Sequence, residues 1–149
     1  MKMSLRDWLK NGWLAEHKAS AQEVADLLAV ADRDLHDCRA DGLSPDWRLN
    51  IAYNAALQSA TAALAAAGYR PAREAHHYRG IQSLAHTIGA DKALVAQFDA
   101  FRKKRNISGY ERMGMISDKE ADEMFSLAKA LRKDIEAWLR AKHPGLMKV

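Results

Sequence analysis

The chain has 149 residues, a formal charge of +4, 48% hydrophobic residues and 28% charged ones. That length suits one domain and excludes two of ordinary size, and that balance excludes a disordered chain. Alanine fills 28 positions and Val, Ile and Thr together only 12, which points to an all-α domain because helices favour alanine and sheets favour β-branched residues.

Ser4 and Asp7 begin a short helix with Leu5, Trp8 and Leu9, stopped by Gly12. Ser20-Ala-Gln-Glu23 reads as a capping box. The helix it opens carries Val24, Leu27, Leu28, Ala31, Leu35 and Cys38 on one stripe, with Asp26, Asp32, Asp34 and Asp37 on an acidic face. Ser44-Pro45-Asp46 starts a third helix, with proline at its first position. It runs to about Ala67, is apolar around most of its girth, and therefore belongs at the centre of a bundle. Pro71 is expected to open a fourth helix, with Tyr78, Ile81, Leu84, Ala85 and Ile88 inward and Gly89 as its stop. Asp91 caps a fifth, whose inward line is Leu94, Phe98, Phe101 and then Arg105, up to a break at Ser108-Gly109. Ser117-Asp-Lys-Glu120 is another capping box, opening a last helix striped with Ala121, Met124, Phe125, Ala128, Leu131, Ile135 and Trp138 and closed by His143-Pro144-Gly145. Short connections make this a single domain over residues 1–149. The expected architecture is an up-and-down bundle of about five main helices with a short N-terminal one.

The single cysteine, Cys38, excludes an internal disulfide and multi-thiolate metal sites, and fits a reducing compartment. His76 and His77 are adjacent and diverge on a helix, as do His36 and Cys38, so no metal ligand set is expected. No stretch reaches the ~18 apolar residues of a membrane span, and MKMSLRDWLKNGWL has no signal-like apolar core. A cytoplasmic protein without membrane contact is the expectation. Trp8, Trp13, Trp47 and Trp138 read as packing anchors, the first two also as marks of a partner contact.

Chemistry concentrates in Phe101-Arg-Lys-Lys-Arg-Asn-Ile-Ser-Gly-Tyr110. Arg102, Lys103, Lys104 and Arg105 place four cations within about one turn at a helix C-terminus, where they complement the dipole. Arg105 also continues an apolar line, so its guanidinium needs a partner. Either a carboxylate of the chain or a phosphate ligand satisfies it. Asn106, Ser108 and Tyr110 add hydrogen-bonding groups beside it.

The pattern Arg102-x-x-Arg105-Asn106-x-x-x-Tyr110 resembles the signature of HEPN domains, with Gly68-Tyr69-Arg70-Pro71, His76-His77 and Ile81-Gln82-Ser83-Leu84 upstream resembling some bacterial members. The resemblance implies a helical bundle, a homodimer with two motifs at a shared cleft, and RNA or a nucleotide as ligand. Many members are metal-independent endoribonucleases, often toxins whose antitoxin is nucleotidyltransferase-like. Others are non-catalytic binding modules. Carried over by residue, Arg105 matches the arginine, Asn106 the polar residue, and Tyr110 stands where ribonuclease members have histidine. No cofactor is implied. Tyrosine is a poor base near neutrality. His76 or His77, if one borders the Arg105 cleft, supplies the titratable group that Tyr110 does not. Three readings follow: an RNA-cleaving protein, a binding module without catalysis, and a structural bundle in which Arg105 pairs internally.

Overall fold

The computed structural model describes residues 3–106 and 115–148, the side chain of Asn106 excepted. Helices dominate, as the composition requires. Six α-helices lie among the described residues: α1 Leu5–Lys10, α2 Ala21–Asp37, α3 Pro45–Ala66, α4 His76–Gln82, α5 Lys92–Asn106 and α6 Asp118–Lys142. The fold is an all-α bundle with one small antiparallel ribbon, β1 Leu14–Glu16 paired to β2 Tyr69–Pro71.

The start signals work as local chemistry predicts. Ser4 with Asp7 and Ser117 with Glu120 form full capping boxes, and Ser44 accepts from the Trp47 amide ahead of Pro45. Each satisfies amide groups that a helix start leaves unpaired. At α2 only half of the expected box forms. Ser20 caps the Glu23 amide, but the Glu23 carboxylate turns to His17 Nε2 at 2.8 Å. A charge-assisted contact to an imidazole has displaced the weaker reciprocal bond.

Helix α3 is the central element. Leu49, Ala52, Tyr53, Ala55, Ala56, Ala60, Ala62, Ala63 and Leu64 are all buried along it. Its alanines let α2 and α6 approach closely, and the larger Leu28, Met124, Leu131 and Ile135 of those helices fill the space. Its Ser59 and Thr61 hydroxyls bond back to the helix, to the carbonyls of Ala55 and Leu57, so their burial leaves no orphan donor. Arg48 ties the start of α3 to Asp118 and Asp122 at the start of α6. Asp34, expected on the acidic outer face of α2, is instead buried and accepts from Asn54 of α3 at 2.7 Å and from Arg33. A carboxylate survives burial there because two donors meet it.

The fourth helix departs from expectation. Pro71 does not open it but closes β2, opposite Leu14. Proline tolerates an extended edge, and the Ala72 amide is taken by the Trp13 carbonyl at 2.9 Å. Gly68, at a φ of +102°, makes the turn from α3 into β2. Helix α4 begins five residues later at His76, after Ala75 in the left-handed region at φ +53°. It yields to a 3₁₀ turn at Ser83–Ala85, so Ala85 is exposed rather than inward.

The ribbon and α1 enclose a satellite core of Trp8, Leu14 and Leu64. The Arg79 guanidinium of α4 lies 3.7 Å from the centroid of the Trp13 ring, a cation–π contact that pins α4 to the ribbon. Trp8 and Trp13 are therefore anchors, whereas Trp47 is 61% exposed rather than packed into the core. No described helix is long and apolar enough to cross a membrane.

Candidate anion-binding site

The basic run occupies the last turns of α5, and its four cations differ in their surroundings. Asp99, buried one turn earlier, accepts from Arg102 Nε at 2.6 Å and lies 3.6 Å from Lys103 Nζ. Lys104 pairs with Glu120 at the first turn of α6. Arg105 has no carboxylate within ion-pair distance among the described residues. Its guanidinium lies 5.0 Å from the centroid of the Tyr53 ring, and the residue is exposed. The inward line through Phe98 and Phe101 is real, since both are buried, but it stops there. The long side chain of Arg105 lies along the aromatic edge of the core with its charge in solvent. The more enclosed cation is Arg102, whose side chain is 18% exposed.

Tyr53 joins three helices at this point. Its ring is fully buried and packs edge-on against Phe98 of α5, with centroids 5.6 Å apart. Its hydroxyl meets His77 Nδ1 of α4 at 3.3 Å. His76 packs against His77 with ring centroids 4.3 Å apart, and Arg102 lies over the ring of Tyr78. The structure thus brings His76, His77, Arg102 and Arg105 to one place, together with Tyr53, Tyr78 and Asp99. Lys103 and Lys104 stand beside them. Tyr110 and the Asn106 side chain lie outside the described residues, as do Ser108 and Gly109.

The electrostatics follow from burial and from the two arginines. Burial pushes the Tyr53 hydroxyl up to about 12, against the pull of Arg105 and Arg102. Burial first, then His76, Arg105 and Arg102, pulls His77 down to about 4. At neutral pH both groups are therefore uncharged. The side-chain hydrogen bond to Asp99 holds the Arg102 proton more firmly than usual. The place is a cation beside neutral hydrogen-bonding rings, a combination that suits an oxyanion.

Three members of this cluster, Asp99, Tyr53 and Tyr78, are not among the site residues that the sequence suggests, and Tyr78 reads there only as an inward residue of the fourth helix. Asp99 stands three and four residues before Arg102 and Lys103, the spacing of helix ion pairs, and that signal was available. Tyr53 reads as one more apolar residue of α3. Its only flag is a hydroxyl that must find a partner once buried.

Elsewhere a surface depression of about 540 Å³ is lined by Leu35, His36, Asp37, Arg39, Phe125 and Lys129. Arg39 and Lys129 both lie over Phe125, at 5.2 and 6.0 Å. No group of three or more His, Cys, Asp or Glu able to hold a metal occurs among the described residues. Comparison with family models, with curated proteins and with solved structures finds no match to this chain.

Proposed function

We propose that this chain is a HEPN-like RNA-binding protein that grips a backbone phosphate with Arg105 and acts as a homodimer with two such sites at a shared cleft. The observation that carries the reading is the environment of Arg105. Its neighbours Arg102, Lys103 and Lys104 have carboxylates at hand, while its own guanidinium has none among the described residues and rests on an aromatic face. A planar fork held over an aromatic ring presents its donors to a phosphate with less ordering left to do. Lys103, exposed beside it, adds field.

Metal-independent cleavage extends this reading through the motif. The 2′-hydroxyl attacks phosphorus, the bond to the 5′-oxygen breaks, and a 2′,3′-cyclic phosphate and a 5′-hydroxyl result. In that reaction Arg105 stabilises the charge growing on the phosphoryl oxygens, Asn106 holds the scissile phosphate or the arginine in place, and Tyr110 moves or positions the proton. A toxin restrained by a nucleotidyltransferase-like antitoxin is the matching biological role. The second reading is a binding module without catalysis, partnering such a protein. It is favoured by the neutrality of His77, which burial and its cationic neighbours keep unprotonated down to about 4.

Purified protein is mixed with labelled single-stranded RNA in EDTA, and binding and product are followed together. The expected result is salt-sensitive binding that falls by about tenfold or more in Arg105→Ala. Product that disappears in the same variant selects the ribonuclease, and binding without product selects the module. Equal binding by wild type and Arg105→Ala overturns both.

A further inference from the structure

We propose that His77 is a second phosphate ligand of this site, presenting its Nε2–H as an uncharged donor beside Arg105, and that Tyr53 is the positioning residue that holds the ring in that tautomer. The inference rests on the RNA-phosphate reading above and adds a residue outside the α5 motif.

The derivation starts from the hydroxyl of Tyr53. It is enclosed by the core, and His77 Nδ1 at 3.3 Å is its one hydrogen-bond partner among the described residues. A buried O–H must donate or lose the energy of a hydrogen bond. With Nδ1 as the acceptor in reach, the ring nitrogen facing Tyr53 is unprotonated. A neutral imidazole carries one proton, so it sits on Nε2. Nε2 has no hydrogen-bond partner among the described residues, and the ring is only half-buried, so this donor remains available to a guest.

The surroundings keep the ring neutral and keep it facing cations. Around His77 stand Tyr53 from α3, His76 from its own helix, and Arg102 and Arg105 from α5. The carboxylate of Asp99 on α5 is engaged by Arg102 and Lys103. A third positive charge, on the imidazole, would be repelled by the two guanidinium groups. An N–H donor adds a directed bond to an oxyanion without that cost. Both ligands meet one residue, because the guanidinium lies over the Tyr53 ring and the Tyr53 hydroxyl reaches the imidazole. Tyr53 therefore meets both ligands at once, the cation by a cation–π contact and the imidazole by a hydrogen bond.

The test uses the full chain and a labelled 2′-O-methyl uridine octamer, which carries phosphodiesters but no attacking hydroxyl. Ring ¹⁵N spectra of the apo protein are expected to show the Nε2–H tautomer of His77, with the Nε2 signal moving on titration with the octamer. His77→Phe is expected to weaken binding by about tenfold. His77→Gln, which returns an N–H near the Nε2 position, is expected to restore most of it. Tyr53→Phe keeps the platform under Arg105 and is expected to mix the two tautomers, with a smaller loss of affinity. Far-ultraviolet circular dichroism confirms the fold of each variant. The Nδ1–H tautomer in the wild type overturns the proposal. So does wild-type affinity in His77→Phe while Arg105→Ala has lost it, and that pattern leaves the anion reading standing. Undiminished affinity in both variants, or no binding by the wild type, removes the anion reading and this inference together.

Discussion

Replacing Arg105 and Asp99 one at a time separates a cation kept for a ligand from one kept for the fold. Arg105 is exposed, and its described contact is the face of Tyr53. A cation–π contact at such a position contributes about 0.5–1 kcal/mol, so Arg105→Ala is expected to cost no more than about 1 kcal/mol. In a chain of this length that lowers Tm by about 2–4 °C. Asp99 is different. It is 8% exposed, and its removal strands the guanidinium of Arg102, whose side chain is 18% exposed, and takes the nearby anion from Lys103. Breaking a buried pair by deleting one partner costs about 3–5 kcal/mol. Arg102 keeps the face of Tyr78 and can partly re-enter water, so Asp99→Ala is expected to cost about 2–3 kcal/mol and to lower Tm by about 5–10 °C. Urea unfolding followed by circular dichroism, alongside RNA binding on the same samples, measures both effects. Arg105→Ala should lose affinity and keep stability. A loss of 3 kcal/mol or more in Arg105→Ala with RNA behaviour unchanged would show the arginine to be a structural brace and refute the reasoning.

His77 gives the protein a pH dependence of known sign. The unfolded chain protonates an ordinary imidazole near 6.5, and the folded one only at about 4, so the unfolded state holds more protons in that interval and stability rises with pH through it. The full separation corresponds to about 3 kcal/mol, and solvent screening of a half-buried ring reduces this to about 1–2 kcal/mol. That stability is complete above about pH 6.5 and lost as the pH falls toward about 4. Subtracting the stability curve of His77→Gln from that of the wild type isolates the effect, and parallel curves would refute it. Ala60 has no exposed surface on the central helix, so Ala60→Leu should overpack the bundle and cost about 1–3 kcal/mol, read as a lower urea midpoint. With one phosphate held by Arg105 in each protomer of a dimer, log Kd for single-stranded RNA should change with log salt with a slope of about 1–2. A slope several times larger would mean that the whole basic run contacts the strand.

The helical bundle was legible because its signals are local and repeated. Ser4, Ser44, Asp91 and Ser117 each cap the helix that their position announces, and the apolar girth of α3 marks it as central. The ribbon was not legible. Residues 14–16 and 69–71 carry weak strand character, and their pairing depends on Trp8, Leu14 and Leu64 meeting across more than fifty residues of sequence, a tertiary effect with no local signature. The start of α4 was missed for the same reason, since Pro71 is captured by β1 before it can begin a helix. At the site, the basic run and the histidine pair were visible as composition. Their meeting was not, because it runs through Tyr53, whose place on α3 gives no sign that its hydroxyl faces α4 while its ring supports α5.

The charge balance at the end of α5 explains why its four cations differ in their surroundings. Among the described residues, four cations face the two carboxylates of Asp99 and Glu120, which leaves an excess of two positive charges. The helix C-terminus offsets about half a charge and by itself repels an anion. Without Asp99 the four cations would repel one another within a single turn, and the long side chains would spread into water. With it, Arg102 is drawn inward, while Glu120 draws Lys104 toward α6, and the excess falls on Arg105 and the exposed Lys103. Of these two, only Arg105 has a rigid platform, so only there is the ordering of a flexible side chain already met by the fold. The buried carboxylate that looks like a stabilising detail of α5 is thus what gives the site its direction.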